Sequence, residues 1–185
     1  MIFAVHDWET TGLPLHSDAR LGQQPKTIEF GGILTDGNEV ISTTEFICNP
    51  EIQIEQIITD ITGLTNDDLR GYGPFSDNLD ALKAYFSAAD VIISHNLSFD
   101  KRMLDFDLRR IGLTLVDVGW TDQIEICTVE QTFHMYGRRM RLTDLYNTLV
   151  GEYVQKHRAV DDVLLLHKVC QTLGVYESFE RKKND

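Results

Sequence analysis

A mixed α/β sheet is the fold class this sequence predicts, on three observations. Three β-rich runs stand early in the chain, two of them are joined by a tight-turn signal, and beyond residue 90 short apolar strands alternate with segments of helical period. The first run, residues 2–9, is hydrophobic at its start and acidic at its end, and a polar loop over 14–26 with Gly22 and Pro25 follows it. Residues 27–35 and 39–48 read as a hairpin around Asp36-Gly37-Asn38, because glycine beside short polar residues supplies the backbone that such turns need. Residues 50–68 read as irregular with a short helix. Leu79, Leu82 and Phe86 give 75–89 a helical spacing, and Val91-Ile92-Ile93 then forms a short buried strand. Helices are expected at about 98–112, 127–136, 141–149 and 157–173, with a short strand near 121–126. No repeat, low-complexity stretch or linker divides the chain, so one domain is expected over 1–175, followed by a polar C-terminal tail over 176–185.

Composition narrows the function classes. A chain of 185 residues, 42% hydrophobic and 25% charged, can bury a full core. The first residues enter a strand without a basic stretch or cleavage site, so no signal peptide is expected. No apolar run approaches the ~18 residues that cross a bilayer. Cys48, Cys127 and Cys170 are widely spaced and odd in number, which suggests neither a disulfide framework nor a zinc site and fits a reducing cytoplasm. A net charge of −12 argues against a basic clamp on long nucleic acid, whose phosphates are tracked by clustered Lys and Arg. A short substrate needs fewer such contacts.

The chemistry begins on the first strand. Side chains two apart in a strand share a face, so Phe3, Val5, Asp7 and Glu9 point the same way. Carboxylates held that close repel unless a cation lies between them, and hard divalent ions favour such oxygen pairs. On a helical wheel over 98–112, Asp100 falls on the inward stripe with Leu104, Leu108 and Ile111; Asp107 shares that stripe and is expected to find an Arg partner. Asp161 and Asp162 are adjacent, and only one can face inward. Ala159, Asp162, Leu166, Val169 and Leu173 form one apolar face, which selects Asp162 and leaves Asp161 solvated. His157 would point away from Asp162 on a continuous helix, so it is expected just before the helix, free to approach the acids. Asp7, Glu9, Asp100 and Asp162 around two Mg²⁺ or Mn²⁺ ions would make a site for in-line displacement at phosphorus, with His157 as general base. His6 faces away from the acids, and His134 and His167 lack ligand spacing, so all three read as structural.

These residues resemble the exonuclease family with the acidic pattern DEDD plus histidine, typified by the proofreading epsilon subunit of bacterial DNA polymerase III. Asp7-Trp8-Glu9-Thr10-Thr11-Gly12 looks like its first motif, His95-Asn96-Leu97-Ser98-Phe99-Asp100 its second, and His157-Arg158-Ala159-Val160-Asp161-Asp162 its third. Thr27-Ile28-Glu29-Phe30-Gly31-Gly32 and Arg141-Leu142-Thr143-Asp144-Leu145 also resemble family stretches. The resemblance implies a ribonuclease-H-like five-stranded sheet, three antiparallel strands then two parallel, flanked by helices. It implies 3′-to-5′ hydrolysis releasing nucleoside 5′-monophosphates, with Thr10, Thr11 and Gly12 on the terminal nucleotide and His95, Asn96 and Phe99 lining its pocket. Trp8 departs from the family's smaller aliphatic residue, and a packing difference is expected there. The sequence stops soon after the last helix, without the extension by which the epsilon subunit joins its polymerase, so covalent fusion is not expected, and a stand-alone enzyme and one docked to a polymerase are both open. Gly137-Arg138-Arg139-Met140-Arg141 is the densest basic cluster and would grip phosphate at the mouth of the site, or else form a solvated loop. Single-stranded DNA 3′ ends or frayed ends are the expected substrate, in proofreading or repair. An exoribonuclease of the oligoribonuclease or RNase T kind is the alternative, which the acidic charge favours mildly, and nothing in the motifs tests the 2′-hydroxyl. A non-catalytic nucleic-acid or polymerase-binding module is the third reading, against which stands the presence of all four acids and the histidine.

Overall fold

Strand β1 (Phe3–Thr10) takes the centre of the sheet because it is buried on both faces along most of its length. The computed structural model describes residues 1–16, 18–153 and 158–181. Antiparallel to β1 runs β2 (Thr27–Thr35), and antiparallel to β2 runs the edge strand β3 (Val40–Ile47). On the other side β4 (Val91–Ser94) pairs parallel with β1, and β5 (Ile124–Cys127) parallel with β4. The order is therefore β3-β2-β1-β4-β5, the mixed five-stranded sheet expected from the sequence. At the β2–β3 turn Gly37 adopts φ 104°, and Asp36 Oδ1 accepts from the amides of Asn38 and Glu39.

Helices cover both faces. On one, Phe3, Val5, Ile33, Val91 and Ile93 pack against α6 (Leu142–Leu149) and α7 (Ala159–Thr172). On the other, Ala4, Trp8, Phe30 and Ile92 pack against α3 (Leu79–Ser87) and α4 (Leu97–Arg110). Trp8 is absorbed by an aromatic cluster, its ring 4.5 Å from that of Phe30, which accounts for a bulky residue at this place. His6 is fully buried in the same cluster, and neither ring nitrogen has a hydrogen-bond partner. Two glycines in β2 let helices come close. A Cβ on Gly31 would lie 2.5 Å from the Ala159 carbonyl carbon and the Val160 nitrogen, and one on Gly32 would lie 2.7 Å from the Tyr85 ring on the opposite face. Tyr85 uses that room to donate its hydroxyl to the Val5 carbonyl at 2.8 Å. Asp107 finds its arginine: Arg110 Nη1 donates to Asp107 Oδ1 at 2.6 Å, while the Thr27 amide donates to Oδ2 at 3.0 Å.

Three segments differ from the sequence expectations. Residues 50–68, expected mostly irregular, hold two helices, α1 (Gln56–Thr62) and α2 (Asn66–Leu69), divided by Gly63 at φ 76° and restarted by a Thr65–Asp68 capping box. The helix expected from residue 75 begins with a 3₁₀ turn, Phe75–Asn78. The segment expected as a polar tail from 176 opens with apolar packing: Tyr176 is buried, and α5 (Thr128–Tyr136) and α7 are followed by a last helix, α8 (Glu177–Arg181). The rings of Tyr176 and Phe179 lie 4.7 and 5.6 Å from Phe3. Among the described residues, no helix is long and apolar enough to cross a membrane.

Candidate active site

The C-terminal end of β1 delivers Asp7 and Glu9 to the face covered by α7, as the strand alternation requires. Asp162 enters from the first turn of α7 and is buried at 3% exposure, whereas Asp161 is half-exposed and lines a separate groove with Tyr146 and Tyr153. Carboxylate oxygens of Asp7, Glu9 and Asp162 all lie within 4.8 Å of one another, a separation one divalent cation can bridge. Asp100, carried by α4 in the opposite layer, lies outside that trio but close enough for its charge to act on Asp7 and Glu9. Asn96, in the left-handed region at φ 81°, turns the chain sharply from β4 into α4, and Asp100 then sits buried in the first helical turn. Asparagine tolerates that backbone because its short amide can bond locally. Ser94 Oγ donates to Asp100 Oδ2 at 2.5 Å.

The electrostatics of this cluster favour a cation. Burial first, then the charges of Asp100, Glu9 and Asp162, push the Asp7 carboxyl well above its ordinary range. Burial, then Asp162 and Glu29, push Glu9 up as well; burial raises Asp100, against the Ser94 hydrogen bond that lowers it. Carboxylates in that state either hold protons or hold a metal. The donor set is all oxygen and hard, which suits a divalent cation of the alkaline-earth type.

A cleft of about 610 Å³ opens over the acids. Its lining contains Thr10, Gly12, His95, Asn96 and Phe99, together with Arg139 and Arg141 of the basic cluster. Thr11 is an exception. Its hydroxyl accepts from the Lys26 amide at 3.0 Å and its own amide donates to the Lys26 carbonyl at 2.8 Å, so it ties the loop and does not line the cleft. Arg138 is likewise absent from the lining. His95 is held at both nitrogens, with Nε2 3.0 Å from the Met140 carbonyl and Nδ1 2.9 Å from Thr128 Oγ1. Since a carbonyl only accepts, Nε2 carries the proton and Nδ1 accepts from the threonine. Burial lowers the basicity of this ring further, so His95 is a fixed wall and has no free nitrogen for proton transfer. Arg139 Nη2 donates to Asn96 Oδ1 at 2.8 Å. His157, the expected base, lies outside the described residues.

An apolar part of the lining was missed by the sequence reading. Leu13, Ile58 and Ile61 also line the cleft, with Leu13 77% exposed. The available signal was the run of isoleucines at 57, 58 and 61 in an otherwise polar stretch, which at helical spacing presents apolar side chains on more than one face.

The exonuclease family matches residues 4–170 of this chain. Among curated proteins, the PolC-type DNA polymerase III of Oceanobacillus iheyensis is 29% identical over 175 residues, covering 92% of this chain and 12% of that polymerase. The corresponding protein of Listeria welshimeri is 28% identical over 160 residues, covering 86% of this chain and 10% of its own length. The chain thus spans about a tenth of these relatives. Among solved structures, E. coli Exonuclease I in complex with a dT13 oligonucleotide superposes with a TM-score of 0.76 at 18% identity, over 98% of this chain and 43% of that one. Its complex with a dA16 oligonucleotide gives 0.75 at 18% identity, over 94% and 41%.

Proposed function

Because this chain belongs to the DEDDh-type 3′-to-5′ exonuclease family, we propose that it hydrolyses phosphodiester bonds from the 3′ end of single-stranded DNA or frayed ends, releasing nucleoside 5′-monophosphates. The observation that carries this reading is the convergence of Asp7, Glu9 and Asp162, with Asp100 behind them, at the floor of a cleft whose rim bears Arg139 and Arg141. Asp7, Glu9, Asp100 and Asp162 would hold two Mg²⁺ or Mn²⁺ ions, which supply charge neutralisation at a scissile phosphate and acidify a nucleophilic water. His157 would accept that water's proton, a role suited to an imidazole. Ser94 would keep the Asp100 carboxylate oriented. His95, Asn96 and Phe99 would shape the pocket for the terminal nucleotide, with Thr10 and Gly12 at its backbone edge, and the apolar wall of Leu13, Ile58 and Ile61 would receive base faces.

DNA is placed first because the matched polymerases are DNA polymerases and the superposed Exonuclease I structures carry deoxyoligonucleotides. Proofreading in association with a DNA polymerase is the setting those relatives suggest. An exoribonuclease on short RNA is the second reading, favoured by the net charge of −12, which disfavours long polyanions. The deciding experiment is a time course with 5′-labelled single-stranded DNA and RNA of matched sequence, with and without Mg²⁺. A descending ladder on DNA that requires the ion is expected. A ladder on RNA alone would transfer the activity to the second reading, and no ladder on either would refute the enzyme.

A further inference from the structure

We infer that Glu29 and Arg158 form a positioning pair that sets the head of α7, and with it Asp162, over the acids of β1. The inference rests on the exonuclease reading and assigns roles that reading leaves open. Glu29 stands opposite Glu9 in the β1–β2 register and its side chain is 4% exposed. A further carboxylate so close to Asp7, Glu9, Asp100 and Asp162 adds repulsion unless it is compensated. Arg158 compensates it completely in geometric terms: Nε donates to Oε1 at 3.0 Å and Oε2 at 3.1 Å, and Nη2 lies 2.9 Å from Oε1. Both oxygens of Glu29 are thereby engaged by one guanidinium, which marks it as a group that anchors a cation side chain.

Arg158 is the residue immediately before α7, and its carbonyl accepts from the Asp162 amide at 3.0 Å. One residue thus joins the sheet through its guanidinium and the third acid's backbone through its carbonyl. A second, independent contact fixes the same turn. Two residues further along the same face of β2, Gly31 has no side chain, and the backbone of Ala159 and Val160 occupies the space a Cβ would fill. Charge at Glu29 fixes the direction of approach, and contact at Gly31 fixes its depth. Groups that hold ligand residues in place from behind govern metal affinity nearly as strongly as the ligands do.

The test uses the full chain and the variants Glu29→Gln, Arg158→Gln, their double combination and Arg158→Lys. Folding is checked by circular dichroism, Mn²⁺ binding is titrated without substrate by calorimetry, and kcat and KM are measured on the labelled oligonucleotide. Each Gln variant should weaken Mn²⁺ binding by roughly 10- to 100-fold and lower kcat more than it raises KM. The double variant should be no worse than the poorer single, because the two residues act as one unit. Arg158→Lys, which keeps the charge and loses the fork, should fall between wild type and Arg158→Gln. Wild-type Mn²⁺ affinity in both folded singles would overturn the inference, as would losses that simply multiply in the double. Loss in Glu29→Gln with none in Arg158→Gln would overturn it too, in favour of Glu29 as a ligand. Should Glu29→Gln fail to fold, the exposed-side variants of Arg158 carry the test alone. A wild-type chain that neither binds Mn²⁺ nor cleaves DNA would refute the exonuclease reading, and this inference with it.

Discussion

Replacing Gly31 by alanine probes how closely α7 must approach the sheet. Gly31 does not have positive φ, so the backbone accepts alanine and the only cost is contact. The new Cβ would lie 2.5 Å from the Ala159 carbonyl carbon and Val160 nitrogen, and ordinary contact begins at 3.4 Å, so the first turn of α7 must retreat by about 0.9 Å. Overpacking of this kind costs about 1–3 kcal/mol, and at this chain length each kcal/mol moves the melting temperature by roughly 2–4 °C. Asp162 sits in the turn that moves. Displacement of a catalytic group by about 1 Å costs on the order of 10²-fold in rate. Gly32→Ala is the matched control, since its Cβ meets the Tyr85 ring on the other face, 2.7 Å away, and leaves α7 alone. Thermal melts and single-turnover cleavage of a labelled oligonucleotide read both effects. Both variants should melt lower, and only Gly31→Ala should lose about two orders of magnitude in rate. Equal rates in the two variants would refute the argument that the depth of α7 sets the site.

Other outcomes follow from the same geometry. Asp162→Asn should abolish cleavage while Asp161→Asn retains most of it, and a dead Asp161→Asn with an active Asp162→Asn would reverse the assignment of the inward acid. Burial without partners lowers the pKa of His6 from 6.5 to about 3. Between those values the unfolded chain binds a proton that the folded chain refuses, so stability falls as pH drops through this window, by about 1.4 kcal/mol per pH unit. His6→Leu, close in volume, should remove that slope; melts of wild type and variant at pH 6.5 and 5 should diverge by about 2 kcal/mol, and parallel losses would exclude His6 as the cause. Changing Arg139 and Arg141 together to Gln should weaken single-strand binding and flatten the log–log salt dependence by about 1.4, at roughly 0.7 per phosphate contact. An unchanged slope would make this segment a solvated loop.

The strands were legible because hydrophobic runs of the right length were bounded by turn residues, and the inward acids were legible because a period of 3.6 separates neighbours such as Asp161 and Asp162. Period also placed Asp100 and anticipated an arginine for Asp107. What periodicity does not carry is contact across the sheet. Ser94 beside Asp100 belongs to a different element, and Glu29 meets Arg158 across 129 positions of sequence. The helices at Gln56–Thr62 and Asn66–Leu69 are too short for more than one turn of repeat, so the isoleucines of the first, Gly63 after it and the Thr65–Asp68 capping box of the second are their readable signs. Tyr176 and Phe179 were lost in a charged tail because two aromatics there give no pattern until Phe3 is seen beneath them.

His95 and Asn96 bear on how the entrance behaves when a strand arrives. One donates to the Met140 carbonyl and the other accepts from Arg139, so the stretch bearing the cleft's arginines is laced to the turn between β4 and α4 before any ligand is present. On the proposed function, little configurational freedom would then remain to be surrendered on capture, and the positive rim would meet an incoming strand already shaped. The same lacing means that a strand competing for the Arg139 guanidinium would first have to unfasten it from Asn96, exchanging one hydrogen bond for another.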